Sequence, residues 1–360
     1  MFFLQAVFAL AVILCEVPAG VFSDCFGRRR AIGCGCIFGL LASTVFLIGR
    51  SLPVLSIAEL LMALSIAMFS GSDTALLYES TDQQQYPEQE LKLQAYSRYA
   101  EGLSSVIAAV LSALSLFLLP IMDGLVRALS CYCSFSLCDV RSSAGSVSSR
   151  GQMKSVWVKQ WNTFIRKWND SSSPLTHAIL FFSAGISVIT LSMFWLLQLW
   201  LQQHHVSPIA MGVVWLCYHT CSGCAAYLVK PMMRHCGVKL GFYSLFIGCC
   251  FIVMTGCLTE SGLLLGVFFI AAVVFGFKMP WIYIVLNHNI AADARASFLS
   301  LDSCYTRIGF AITALLMAGV AQIDTLQRLF AVMLLVLILT GLALWRLSYL
   351  IGRGDSEVVL

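Results

Sequence analysis

Charged residues inside long apolar runs are where this chain could do chemistry. Glu16 lies in the run from residue 2 to 22. A carboxylate is costly within a membrane, so its presence there argues for a role. Two roles fit. Glu16 would carry protons for a coupled process, or it would serve a gate or an interface between domains. The second follows from spacing: Glu16, Gly20 and Asp24 recur every fourth residue and share one helical face. Pro18 would bend the same helix and free a carbonyl. Lys278, in Phe277-Lys278-Met279-Pro280-Trp281, is the second intramembrane charge. It would bind an anionic group, pair with an acid, or snorkel toward water. Trp281, one turn on, is a candidate for the same site.

Trp195 and Gln198 lie three residues apart on one face and would line a cavity with aromatic and amide contacts. Anchoring at the membrane interface is the alternative, and it suits Trp200 better. Glu59, near the outer end of its run, would simply reach water, and His219 reads as a packed helix residue. Cys217, Cys221 and Cys224 share a face that a soft metal would accept. Most of the 15 cysteines lie in apolar runs, however, and read as small packing residues. Neither a metal nor a cofactor is expected. No phosphate-cradling glycine loop, His-Glu-x-x-His or Gly-x-Ser-x-Gly is present, so the reading is not an enzyme.

The elements that position these residues are legible from composition. Hydrophobic residues make up 59% of the chain and charged ones 11%, with mean hydropathy +0.86. Soluble domains carry about 25% charged residues. Apolar runs long enough to cross roughly 30 Å of hydrocarbon as helices recur throughout. The expected class is an all-α polytopic membrane protein. Its expected spans are 2–22, 31–50, 53–77, 97–119, 122–140, 176–202, 207–229, 238–258, 262–286, 298–320 and 326–348. The net charge of +4 does not imply nucleic acid, because the charges sit in the connections.

Lysine and arginine set the orientation. With Arg28 to Arg30 placed in the cytoplasm, only Arg50 and Arg328 fall in outer connections, and Arg127, Lys278 and Arg307 fall within spans. The C-terminus is then cytoplasmic. The long polar connection divides the chain into an N-terminal bundle (1–140, five spans), a central loop (141–174) and a C-terminal six-helix bundle (175–360). Ser142 to Gly151 reads as a flexible linker. After it, Met153, Trp157, Trp161, Phe164, Ile165 and Trp168 share a face opposite Lys159 and Arg166. That pattern suits a helix lying on membrane lipid.

The turn Gly20-x-x-x-Asp24-x-x-Gly27-Arg28-Arg29 between two membrane helices resembles the signature loop of the major facilitator superfamily. Ala226 to Arg234 is a degenerate echo of it. Ser70 to Ser80 and Ile290 to Ser300, leading into Arg307-Ile308-Gly309-Phe310, resemble segments of a bacterial branch. The resemblance implies a fold of two bundles and twelve spans. There the signature joins spans two and three, so a first family helix is expected before Met1.

The resemblance also implies a latch. Gly20 would admit a close helix, Gly27 would permit the tight turn, and Asp24 would meet the N-terminus of the span starting near 298. Arg28 would pair with Asp73 or Glu79. The implied function is secondary active transport of a small solute by alternating access, driven by protons or by the solute's own gradient. Export of a drug or metabolite is favoured, although residues 97–119 lack the Gly-Pro-x-x-Gly-Gly run of drug antiporters. The alternatives are an uptake permease and a truncated, non-transporting membrane protein or sensor. A monomer in a bacterial inner membrane is expected.

Overall fold

The computed structural model describes residues 1–70, 72–81, 86–137, 158, 174–259, 262–289, 295–320 and 326–352. The linker and the surface helix expected around 142–168 lie outside them, Val158 apart. The side chains of Asp24, Glu79 and Lys230 are also outside the description. Eleven helices are formed among the described residues. They fall into two compact units, one of residues 3–100 and 107–166, the other of 101–106 and 167–360, with Met1 and Phe2 divided between them.

In the first unit, α1 (Phe2–Phe26) and α2 (Arg28–Ile48) are separated by Gly27 alone. Gly27 has φ 97° and ψ 152°, a conformation open essentially only to glycine. The expected tight turn is therefore formed. α3 (Leu52–Phe69) opens with Pro53 in its first turn, where the missing N–H costs nothing. The expected span 53–77 is not one helix. It stops at Phe69 and resumes as α4 (Ser72–Ser80). Ser70-Gly71-Ser72 explains the interruption, since serines compete for backbone hydrogen bonds and glycine adds backbone entropy. α6 (Leu118–Ser134) and α5 (Tyr86–Leu114), residues 101–106 apart, complete the unit.

α2 lies at the centre of this unit, against α3 on one side and α6 on the other. Small residues allow the approach. Phe69 covers Gly35, Arg127 lies across Gly39, and Ser65 Oγ donates to the Gly35 carbonyl at 2.7 Å. Arg127 is not stranded within its helix. It pairs with Asp123 at 2.8 Å, donates to Met62 Sδ at 3.3 Å, and Asp123 accepts from Ser43.

The second unit is organised around α7 (Pro174–Gln203), which is buried along most of its length. α9 (Leu263–Asn289), α10 (Arg295–Val320) and α11 (Leu326–Gly352) pack on it. α8 (Pro208–Leu258) starts with Ser207 Oγ capping the Ala210 N–H at 3.3 Å. It contains two membrane spans, Pro208–Val229 and Lys239–Leu258. Ser222 lies against Gly276 of α9, and Gly248 lies against the neighbouring Val274. A straight helix would hold Ser222 and Gly248 about 39 Å apart. The helix, which contains Pro231, is therefore strongly bent between them, and both expected spans approach α9.

Among the described residues, eight helical segments are long and apolar enough to cross a membrane, and Phe2–Glu16 and Tyr99–Leu114 are shorter apolar helices. α6, expected as a span at 122–140, begins earlier and has 17 residues. At roughly 26 Å it falls just short of the hydrocarbon thickness. The chain is an all-helical, multi-pass membrane protein.

Substituting Gly27 with alanine should cost about 1–3 kcal/mol, because no L-residue sits comfortably at its φ and ψ. Gly20→Ala should leave stability unchanged or slightly raised, since a Cβ there meets no described atom within 4 Å. Thermal unfolding midpoints of the two purified variants make the comparison.

Candidate functional site

At the α1–α2 turn, the Arg28 guanidinium donates to Ser23 Oγ at 3.0 Å. Ser72 Oγ, at the start of α4, donates to the same hydroxyl at 2.8 Å. Ser23 and Ser72 are both buried. The turn is thus tied to the residue next to Asp73 through a serine bridge that sequence reasoning did not foresee. Asp73 itself is exposed on α4. Arg29, expected only to enforce orientation, donates to the carbonyl of Phe135 just beyond α6. A cation suits those unsatisfied helix C-terminal carbonyls. Gly20 does not admit a close neighbour among the described residues.

Glu16 is half-buried on α1. Glu59, expected to reach water, is instead buried in α3, with Gln5 Nε2 of α1 at 3.5 Å from its Oε1. The Gln5 side chain and the Ala11–Val12–Ala63 contact hold α1 against this face of α3. Burial depends on where α1 packs, and the spacing within α3 carries no signal of it.

The most enclosed charge belongs to the second unit. Lys278 is 2% exposed and does not snorkel. Its Nζ donates to Ser187 Oγ of α7 at 2.7 Å and pairs with Asp302 Oδ2 of α10 at 3.2 Å. Three helices therefore meet at one ammonium group. Of the roles open to Lys278, pairing with an acid is the one formed. Asp302 was missed because it stands 24 residues away, at the start of a run that reads simply as a helix. Trp281, one turn beyond Lys278, is fully buried beneath Gly241 and stacks on Phe277 at 5.3 Å. Asp302 Oδ1, Trp281 Nε1 and Ser183 Oγ find no hydrogen-bond partner among the described residues. Asp302 Oδ1 thus leaves hydrogen-bonding capacity at the ion pair.

Trp195 and Gln198 lie within an aromatic group where α7 meets the first span of α8. Phe194 contacts Trp195 at 5.6 Å and Trp215 at 4.3 Å, measured between ring centroids. The Trp215 indole N–H donates to Gln198 Oε1 at 3.1 Å. Tyr218 and His219 continue the group, and His219 Nδ1 lies 3.5 Å from Glu101 Oε2. Trp200 is not an interfacial anchor. It is buried, with His204 stacked on it at 4.2 Å. Cys217 and Cys224 are exposed, and no group of three or more metal-binding side chains forms among the described residues.

Buried polar groups thus lie inside the helices of an all-helical, multi-pass membrane protein. A solved transporter structure matches the fold of nearly the whole chain. The crystal structure of a mutant form of the nucleoside transporter NupG superposes with a TM-score of 0.70, covering 97% of this chain and 90% of that one at 8% identity. No protein-family model and no curated protein matches the sequence. The similarity is one of fold.

Proposed function

We propose that this chain is a secondary active transporter that moves a small solute across a membrane by alternating access. The observation that carries the reading is the fold match over 97% of the chain to a solved transporter. The interior polar groups support it, because buried charges in membrane helices are retained where function needs them. Two bundles, divided at the 141–174 connection, rock about a central site. NupG is a nucleoside transporter, so nucleosides are the first solute class to test. The rings of Trp195 and Trp215 and the amide of Gln198 have the chemistry to hold a flat, hydrogen-bonding solute. Proton coupling assigns Glu16 the proton. A monomer in a bacterial inner membrane, with its C-terminus in the cytoplasm and the solute moving outward, completes the reading.

The test is uptake of labelled nucleosides by the purified chain in liposomes, with and without a proton gradient. Saturable, gradient-driven flux is expected. Gln198→Ala should raise KM about five- to tenfold with little change in maximal rate, as loss of one hydrogen bond predicts. Absence of carrier-mediated flux for nucleosides and for a panel of other small metabolites would overturn the transporter reading. Comparing intact cells with everted vesicles distinguishes export from uptake.

Asp24→Asn tests the latch. It should slow turnover while leaving the unfolding midpoint unchanged, because the charge acts between conformations rather than in folding. Full activity per folded molecule would rule out a role for the Asp24 charge.

A further inference from the structure

Among the described residues of the first unit, Glu59 is the one carboxyl or basic side chain that is buried. It lies about 10 Å along α3 from Leu52, inside the hydrocarbon depth. Its Oε1 accepts from Gln5 Nε2 of α1 at 3.5 Å. Further along both helices, Phe8, Ala11 and Val12 of α1 pack with Ala63 of α3. The two contacts advance together in residue number, so α1 and α3 run parallel and begin at the same membrane face. Glu59 lies between that face and the apolar contact. Gln5, Val12 and Glu16 share one face of α1, which places Glu16 beyond the contact.

The surroundings of Glu59 suit a neutral acid. An ionised carboxylate out of water needs a cation or several donors, and burying it alone costs far more than burying the acid. Among the described residues, no cation forms an ion pair with Glu59. Arg127 of α6 reaches α3 at Met62, but its charge is paired with Asp123, which also accepts from Ser43 of α2. Arg28, Arg29 and Arg30 stand at the opposite end of α2. Met1 and Arg50, at the face where α1 and α3 begin, are exposed. α1 brings the Gln5 amide and, past the apolar contact, a second carboxyl.

We propose that Glu59 is a proton-binding site, loaded while α1 lies on α3 and emptied when α1 shifts and water reaches the carboxyl. On release the O–H bond of the acid breaks, and the proton passes to water at the face where the two helices begin. Return of α1 requires the carboxylate to take a proton back, because the closed contact supplies an amide and no cation. Within the transporter reading, on which this role rests, Glu59 is a proton site separate from Glu16. The packing of Ala11, Val12 and Ala63 keeps the two carboxyls apart.

Infrared spectroscopy of the purified full chain in detergent tests the proton directly. A protonated-carboxyl band should be present at neutral pH, where exposed carboxylates are ionised. Glu59→Gln, which copies the shape of the neutral acid, should remove that band. Gln5→Leu should move it, because the acid carbonyl loses its donor, and it serves if the first variant is unstable. In proteoliposomes, Glu59→Gln should lower proton-driven solute accumulation about tenfold more than it lowers solute exchange without a gradient. Glu59→Asp should recover part of the accumulation. A band absent at neutral pH, or unchanged in both variants, would overturn the inference. Accumulation and exchange reduced equally would remove Glu59 from proton coupling. Absence of flux from the unaltered protein overturns the transporter reading instead, and the infrared band alone then decides whether Glu59 holds a proton.

Discussion

Replacing Asp302 with asparagine is expected to destabilise the protein by about 3–5 kcal/mol, the usual cost of leaving one member of a buried ion pair without its partner. Lys278 is fully enclosed, and Ser187 alone cannot neutralise its ammonium group. The loss should appear as a lower unfolding midpoint in detergent and a smaller yield of monodisperse protein. The double variant Lys278→Met with Asp302→Leu separates stability from function. It removes both charges at similar volume, so its midpoint should return close to that of the unaltered protein. Transport should not return if the pair takes part in the cycle, because the polar meeting point of α7, α9 and α10 is gone. Recovery of both stability and transport would reduce the pair to a structural one.

The second large effect is expected at Gly276. A Cβ at this position would collide with the backbone carbonyl of Ser222, where α9 crosses the first span of α8. A backbone cannot swing aside as a side chain can, so Gly276→Ala should cost about 1–3 kcal/mol by overpacking. Gly266 is the control on the same helix, since a Cβ there meets no described atom within 4 Å. Gly266→Ala should be neutral or stabilising by up to about 1 kcal/mol, as helix propensity predicts. Thermal unfolding of both variants in one detergent measures the difference. Equal midpoints would mean that the two helices do not approach as closely as the structure places them.

Both predictions rest on pairs that are remote in sequence. Lys278 was recognisable as a problem from its apolar surroundings, but its solution was not. Asp302 carries no mark of partnership, because the register between α9 and α10 is set by packing. Glu59 was misread for the same reason, since only the position of α1 decides whether α3 buries that carboxylate. The serine bridge at Ser23 and Ser72 was invisible because serine is common in membrane helices and costs little when unpaired at a surface. The break between α3 and α4 was, by contrast, available in Ser70-Gly71-Ser72, and hydropathy concealed it by averaging over the run.

By itself the amino-acid order determined that this chain crosses lipid many times as helices, and that Gly27 makes the turn joining the first two. Those properties are local: backbone polar groups must be satisfied within each segment, and one residue's φ is decided by its own side chain. Tertiary structure alone decided which charges meet, which glycines are crossed, and that the Trp215 indole donates to the Gln198 amide. Such pairings depend on the rotation and depth of one helix against another. Many side chains more than 20 positions apart contribute to that geometry, and no short stretch of sequence encodes it.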